Sequence, residues 1–482
     1  MEWFTASDYW LARMVLQRGI AALYVVAFVA AALQFRALLG ERGLLPIPRF
    51  LARSSFRNSP SIFHLHYSDR FFAAVCWTGA AVAAAMVLGA GDRLPLWAAM
   101  LVWVLLWVLY LSIVNVGQAW YSFGWESLLL EAGTLAVFLG NDDVAPPLLV
   151  LWLVRWLLFR VEFGAGMSKM RGDRCWRDLT CLYYHHETQP MPGPLSWFFH
   201  HLPKPLHRVE VAGNHVAQLV IPFLLFAPQP VASTAAAVVI VTQLWLVASG
   251  NFAWLNWITI VLACGVVSDT ALSAVVGVSA APDVGDPPVW YVAAVVAFTA
   301  MVVSLSFWPL RNLVTKRQRM NMSYNRYHLV NSYGAFGVVG RTRDEVVIEG
   351  TDEPTINDET TWREYEFKGK PGDVRRLPRQ FAPYHLRLDW LMWFAAISPT
   401  YAHPWLRTFL ERLLEGDRAT LKLLRTNPFP GEPPRYVRAR LYRYRYSTWD
   451  ELRRDHVWWQ RTLLGDYVPP VTLRAGHGSA AQ

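Results

Sequence analysis

Residues 94–116 read LPLWAAMLVWVLLWVLYLSIVNV, with no Asp, Glu, Lys or Arg at any position. A helix needs about 20 apolar residues to cross a hydrocarbon core, and a charge-free run of this length inside a chain is the signature of such a crossing. Similar runs occur on both sides of it, at about 19–35, 71–90, 124–139, 146–163, 211–227, 231–249, 252–268 and 289–308. The pattern predicts a multi-pass α-helical membrane protein of about nine spans. Repetition excludes a lone signal peptide. The runs at 124–139 and 252–268 are short or broken by polar residues, a reading that also suits re-entrant or interfacial segments. Residues 1–18 carry Trp3, Phe4, Tyr9, Trp10, Arg13 and Arg18, a mixture that predicts a short interfacial helix ahead of the first span.

Composition agrees with this reading. Hydrophobic residues make up 54% of the chain and charged residues only 17%, against roughly 25% charged in soluble domains. The net charge of +9 comes from arginines spread over loops and tail, with no zinc-finger, RRM or helix-turn-helix pattern, so no nucleic-acid partner is expected. Only six of the 45 basic residues are Lys, a bias of GC-rich bacterial genomes.

Beyond Arg311 the continuous apolar runs give way to short alternating and periodic ones. The chain therefore divides into a polytopic helical domain, 1–310, and a water-exposed mixed α/β domain, 311–482. YVRARLYRYRY (436–446), TWREYEF (361–367) and EVVIEG (345–350) read as strands. In the first, Tyr442, Tyr444 and Tyr446 oppose Val437, Ala439 and Leu441. LRLDWLMWFAAI (386–397) reads as a helix with an apolar stripe through Leu386, Trp390, Trp393, Phe394 and Ile397.

Arg36, Arg42, Arg49, Arg53, Arg57 and Arg70 fall in one long loop, 36–70, Lys169, Arg171, Arg174, Arg177, Lys204 and Arg208 in another, 164–210, and Arg311, Lys316, Arg317 and Arg319 begin the tail, three segments that nine spans put on one side. The opposite loops hold Arg93 with Asp142, Asp143, Asp269, Asp283 and Asp286. By the positive-inside rule this distribution places the tail in the cytoplasm.

Charges inside spans cost roughly 2.5–3.5 kcal/mol each and need partners or a polar cavity. The fourth span carries Glu126 and Glu131, the fifth Arg155 and Arg160, each pair five residues apart. Antiparallel neighbours joined near 140–147 would match Glu131 with Arg155 and Glu126 with Arg160 in depth, predicting two stacked ion pairs that fix helix register. Glu162 has no cation in this scheme. Lined up on a cavity instead, these residues with Lys169 and His185 would make a polar intramembrane site of an enzyme or small-molecule binder.

The densest polar stretch follows, and six of the 13 histidines lie within 185–215. His185, His186 and Glu187, or His207 and Glu210 at i, i+3, have ligand chemistry, but no HExxH-type pattern is present, and neither metal nor cofactor is expected. Lys169 follows a flexible Gly164-Ala165-Gly166 step and suits either a snorkelling cation or, if dry, a base, the sole catalytic candidate. Cys175 and Cys181, six apart in the polar loop, suit either a disulfide on an oxidising face or two free thiols. Cys76 and Cys264 lie in apolar spans and read as small buried hydrophobes. Neither a serine nucleophile elbow nor a phosphate-binding glycine loop occurs.

Several segments resemble one family: LLGERGLLPIPRF (38–50), FGWESLLLEAG (123–133), LLFRVEFGAGMSKMRGDRCWRDLTCLYYHHETQPMP (157–192), NHVAQLVIPF (214–223), NSYGAFGVV (331–339), EGTDE (349–353), WREYEFKGKPGD (362–373) and APYHLRLDWLMWFAA (382–396). Running through most of the chain in order, they are similar to lipase maturation factors, multi-pass proteins of the endoplasmic reticulum membrane with bacterial relatives. The resemblance implies a non-enzymatic, chaperone-like role in the maturation of exported lipases, with the bilayer and a lipase or other client as partners and the tail facing the lumen. A bacterial member would sit in the plasma membrane. A fainter similarity, at Ala165-Gly166-Met167-Ser168-Lys169, is to the AG-x-K-K step of vitamin K-dependent gamma-carboxylase, whose membrane half carries its catalytic lysine there. Ser168 replaces the first lysine, which leaves enzymatic activity the lesser reading.

Overall fold

The computed structural model describes residues 3–277 and 284–473; Asp283, counted above in the acidic loops, lies outside the described residues. The helices that position the site are α1 (Trp10–Leu38), α2 (Asp69–Val87), α3 (Leu96–Val116), α4 (Gly124–Val137), α5 (Leu148–Arg171), α6 (Leu182–Thr188), α7 (Lys204–Leu219), α8 (Val231–Ser249), α9 (Leu255–Cys264), α10 (Val289–Leu305) and α11 (Arg387–Ile397). Local chemistry sets several starts. The Ser68 hydroxyl caps α2 by accepting from Phe71 N at 3.1 Å. Pro95 stands just before α3, where its missing N–H costs nothing.

Five stretches are long and apolar enough to cross a bilayer: Ser7–Leu38, Asp69–Val87, Leu96–Val116, Val231–Ser249 and Val289–Val314. The expectation of nine spans is therefore not met by length and composition among the described residues. At 14 residues, α4 is roughly 21 Å long against a core of about 30 Å, and α9 has only 10 residues. The expected span 211–227 is divided between α7 and a short helix, Ile221–Leu224, that carries Pro222 in its first turn; a proline there cannot continue the helix before it. Although α5 has 24 residues, it buries Arg155, Arg160, Glu162 and Lys169. Of the expected interfacial helix at residues 1–18, residues 10–18 are instead the first part of α1, where Arg13 is buried and ion-paired to Asp142, while residues 1–2 lie outside the described residues.

The tail begins with a small antiparallel pair, β1 (Met322–Ser323) and β2 (Asn331–Ser332). Its main sheet is antiparallel with order β4-β3-β5-β6, where β3 is Arg343–Thr351, β4 Arg363–Tyr365, β5 Tyr436–Tyr446 and β6 Trp459–Val471. Along β3 and β5, Val346 faces Leu441 and Ile348 faces Ala439. The alternation in β5 is as read, but both faces are covered: Val437 and Ala439 join the main core, while Tyr444 and Tyr446 pack with Trp197 and Trp459. In α11 the apolar stripe is only partly the buried one. Trp390 is buried, Ile397 is 58% exposed, and the buried side takes in Arg387 and Asp389.

Candidate functional site: buried charges joining helices to tail

The first joint is built on Glu126, in the first turn of α4, where the free N–H groups of the helix favour an anion. Its Oε1 accepts from Arg387 of α11 and lies 3.5 Å from His385 Nδ1, while Oε2 accepts from the Tyr110 hydroxyl of α3. Glu126, His385 and Arg387 are all 0% exposed. The guanidinium donates to Trp120 O at 2.9 Å and to His385 Nδ1 at 2.9 Å, and stands 3.6 Å from the Tyr121 ring centroid. Gln34 of α1 closes the joint, accepting from Arg387 N at 3.1 Å and donating to His385 O at 2.7 Å. Burial, with the Arg387 charge beside it, pushes the His385 imidazole down to about 4.

The second joint centres on Glu131, one and a half turns further along α4. It pairs with Arg160 of α5. Glu131 Oε2 also accepts from Asn331 N at 3.1 Å, Asn331 Nδ2 at 2.9 Å and Tyr333 Oη at 2.7 Å, and Arg160 donates to Asn331 O at 2.7 Å. The backbone reaches this depth because α5 carries glycine there: a Cβ at Gly164 would stand 2.4 Å from Tyr333 O. The Gly164-Ala165-Gly166 step is thus a helical close-packing surface rather than the flexible hinge its sequence suggested.

These two joints correct the expected pairing. Glu131 takes Arg160, Glu126 takes an arginine 261 residues away, and Arg155 takes no carboxylate among the described residues. Instead it donates to Tyr9 Oη at 2.8 Å and lies over the Tyr9 and Trp152 rings. Glu162 is satisfied by amides, Gln243 at 2.7 Å and Gln218 at 3.2 Å. Lys169 donates to Asn214 Oδ1 at 2.8 Å and Gln218 Oε1 at 2.9 Å and lies over the Trp176 ring. A lysine so held bridges α5 to α7, and Glu162 likewise ties α5 to α8 through Gln243.

The third joint lies in the 164–210 segment. Arg343 of β3 donates to Glu187 O at 3.0 Å and Pro190 O at 3.1 Å, and with Lys370 it neutralises the fully buried Glu345. Glu187 accepts from Tyr446 N at 2.8 Å. Cys175 and Cys181 form a disulfide, flanked by tail contacts: Arg341 to Asp173 at 2.8 Å and Trp176 Nε1 to Phe336 O at 2.8 Å. His185 packs against Phe336 and Phe252, its ring 5.9 Å from that of His186. His186 instead meets His207 and Glu210, their potential ligand atoms lying within 4.8 Å of one another.

His385, Arg387, Asn331, Tyr333, Arg343, Glu345 and Lys370 belong to the site without standing out in the sequence. All but Arg343 and Glu345 fall in segments that carried the family resemblance, the available signal. The arrangement holds two parts of the chain in one orientation through desolvated ion pairs.

Comparisons with known proteins fit this architecture. Residues 11–274 match the family model for the lipase maturation factor transmembrane domain, and residues 329–469 match the lipase maturation factor C-terminal domain. The chain is 40% identical to lipase maturation factor 1 of Bos taurus over 97% of its own length and 90% of the relative's. It is also 40% identical to lipase maturation factor 1 of Homo sapiens, over 96% and 88%. Lipase maturation factor 2 of Xenopus tropicalis is 28% identical, over 96% of this chain and 82% of the relative. No solved structure matches the chain.

Proposed function

Because the chain belongs to the lipase maturation factor family, we propose that it is an integral membrane factor that assists exported lipases to their active, assembled form. The observation that carries this reading is the extent of the likeness: 40% identity to lipase maturation factor 1 of Homo sapiens over 96% of the chain. The likeness includes both the helical part and the strand-bearing tail.

In this reading the residues from 311 onward form the client-facing part and the helices anchor it in the endoplasmic reticulum membrane. Apolar side chains left on the tail surface, among them Val338, Ile356, Ile397, Tyr401, Leu463 and Leu464, would hold a partly folded client and keep it from aggregating. The tail would face the lumen. Its contacts beside the Cys175–Cys181 disulfide support that side, since disulfides persist in oxidising compartments, and they weigh against the cytoplasmic side implied by arginine bias.

Expression in cells lacking their own maturation factor tests the proposal. The full chain is expected to restore secreted lipase activity, and a chain ending before Arg311 is expected to be inserted but inactive. Equal rescue by the shortened chain would refute the assignment of client work to the tail.

A further inference from the structure

Where α6, α7 and α8 meet, beside the polar loop, three side chains turn metal-ligand atoms toward one point. His186 comes from α6, and His207 and Glu210 lie one turn apart on α7. Both imidazoles are buried to 1% exposure. Their hydrogen bonding leaves an acceptor on each residue unused. His207 Nε2 faces the backbone carbonyl of His200 at 3.3 Å; a carbonyl can only accept, so Nε2 carries the proton and Nδ1 holds the lone pair. That Nδ1 has no hydrogen-bond partner and stands 3.8 Å from Glu210 Oε2, which has none either. Glu210 Oε1 is held by Trp245 Nε1 of α8 at 2.7 Å, leaving Oε2 as the inward oxygen. Neither ring nitrogen of His186 has a partner, and its Nε2 lies 4.0 Å from Glu210 Oε1.

Lone pairs facing one another in a buried site repel unless a cation lies between them, and unpaired polar atoms at such depth are rare. We propose that His186, His207 and Glu210 bind a divalent transition-metal ion of the zinc class, with a fourth position left to water or a further ligand. Two imidazoles and one carboxylate are a zinc set; calcium and magnesium call for oxygen shells. Tetrahedral bonds of about 2.0–2.1 Å put ligand atoms about 3.3 Å apart, so the present spread of up to 4.8 Å needs a contraction within reach of side-chain torsions. The bonds to the His200 carbonyl and Trp245 are the outer contacts that orient metal ligands. This set differs from the groupings that chain proximity suggests, His185, His186 and Glu187 or His207 and Glu210, for which no metal is expected. The metal would tie α6 to α7 beside the segment on which the Arg343 joint rests, whatever client the protein serves.

The test is elemental analysis of the full chain, purified in mild detergent without metal-affinity chromatography, followed by cobalt titration after chelation. The expected result is one zinc per chain and, on titration, the visible bands of four-coordinate cobalt. Glu210→Gln and His207→Ala should abolish both, while His403→Ala, at an exposed histidine, should change neither. Trp245→Phe, at a half-exposed position, should weaken zinc binding about 10–100-fold and leave the fold intact. A wild-type chain that carries no zinc and gives no cobalt bands overturns the proposal. So does a Glu210→Gln chain that binds as tightly as wild type.

Discussion

Glu126→Gln is the substitution with the largest calculable consequence. It keeps the shape of the side chain but leaves the Arg387 guanidinium at 0% exposure with only neutral partners, the Trp120 carbonyl and His385 Nδ1. Removing one partner of a buried pair costs about 3–5 kcal/mol, most of it the uncompensated charge. If that energy falls on the docking of α11 against α3 and α4, the docked state loses roughly 100- to 3,000-fold in population, at 1.4 kcal/mol per tenfold. If it falls on cooperative unfolding of the whole chain, an unfolding entropy of about 1 kcal/mol per kelvin for 482 residues gives a fall in melting temperature of roughly 3–5 °C. Limited proteolysis and thermal melts of the detergent-solubilised protein read the two cases separately. The double variant Glu126→Gln/Arg387→Met removes both charges and should regain much of the loss, because a buried pair exchanged for apolar contacts is often close to neutral. A single variant that melts and digests like wild type would refute the view that this pair holds the tail.

Other predictions follow from single contacts. His385 has its native pKa near 4, below the unfolded value of about 6.5, so the unfolded chain takes up a proton first as the pH falls. Stability should decline from pH 6.5 toward 4, by roughly 2 kcal/mol at pH 5, and His385→Asn should flatten that part of a melting-temperature profile. Gly164→Ala places a methyl 2.4 Å from Tyr333 O and should cost about 1–3 kcal/mol by displacing the 331–334 segment, measurable as a lower melting temperature. Cys181→Ser opens the loop closed by a disulfide between residues six apart; loop entropy puts the loss at roughly 2 kcal/mol, and reductant should shift wild type but not the variant.

The sequence made some of this legible because hydropathy is a local property. The charge-free runs of α1, α2, α3, α8 and α10 could be read residue by residue. Run length alone does not separate crossings from other apolar helices: α4 and α9 are as oily as crossings but shorter, and α5 is long enough yet carries buried charge. The site was less legible because its pairs are remote in the chain. Depth matching can join only neighbouring helices, and it could not anticipate that Arg387 would reach Glu126 or that the Asn331 backbone would reach Arg160. Gly164 illustrates a related limit. In sequence it looks like a hinge, and only the backbone lying against it shows that it is a contact surface.

Protease protection in sealed microsomes is the measurement closest to the centre of this account, which requires residues beyond Arg311 to stand in the compartment that exported lipases traverse. Antibodies to that region should detect an intact fragment until detergent opens the vesicles. Digestion of the region while the vesicles remain closed would place it on the cytosolic face, out of reach of any lipase client.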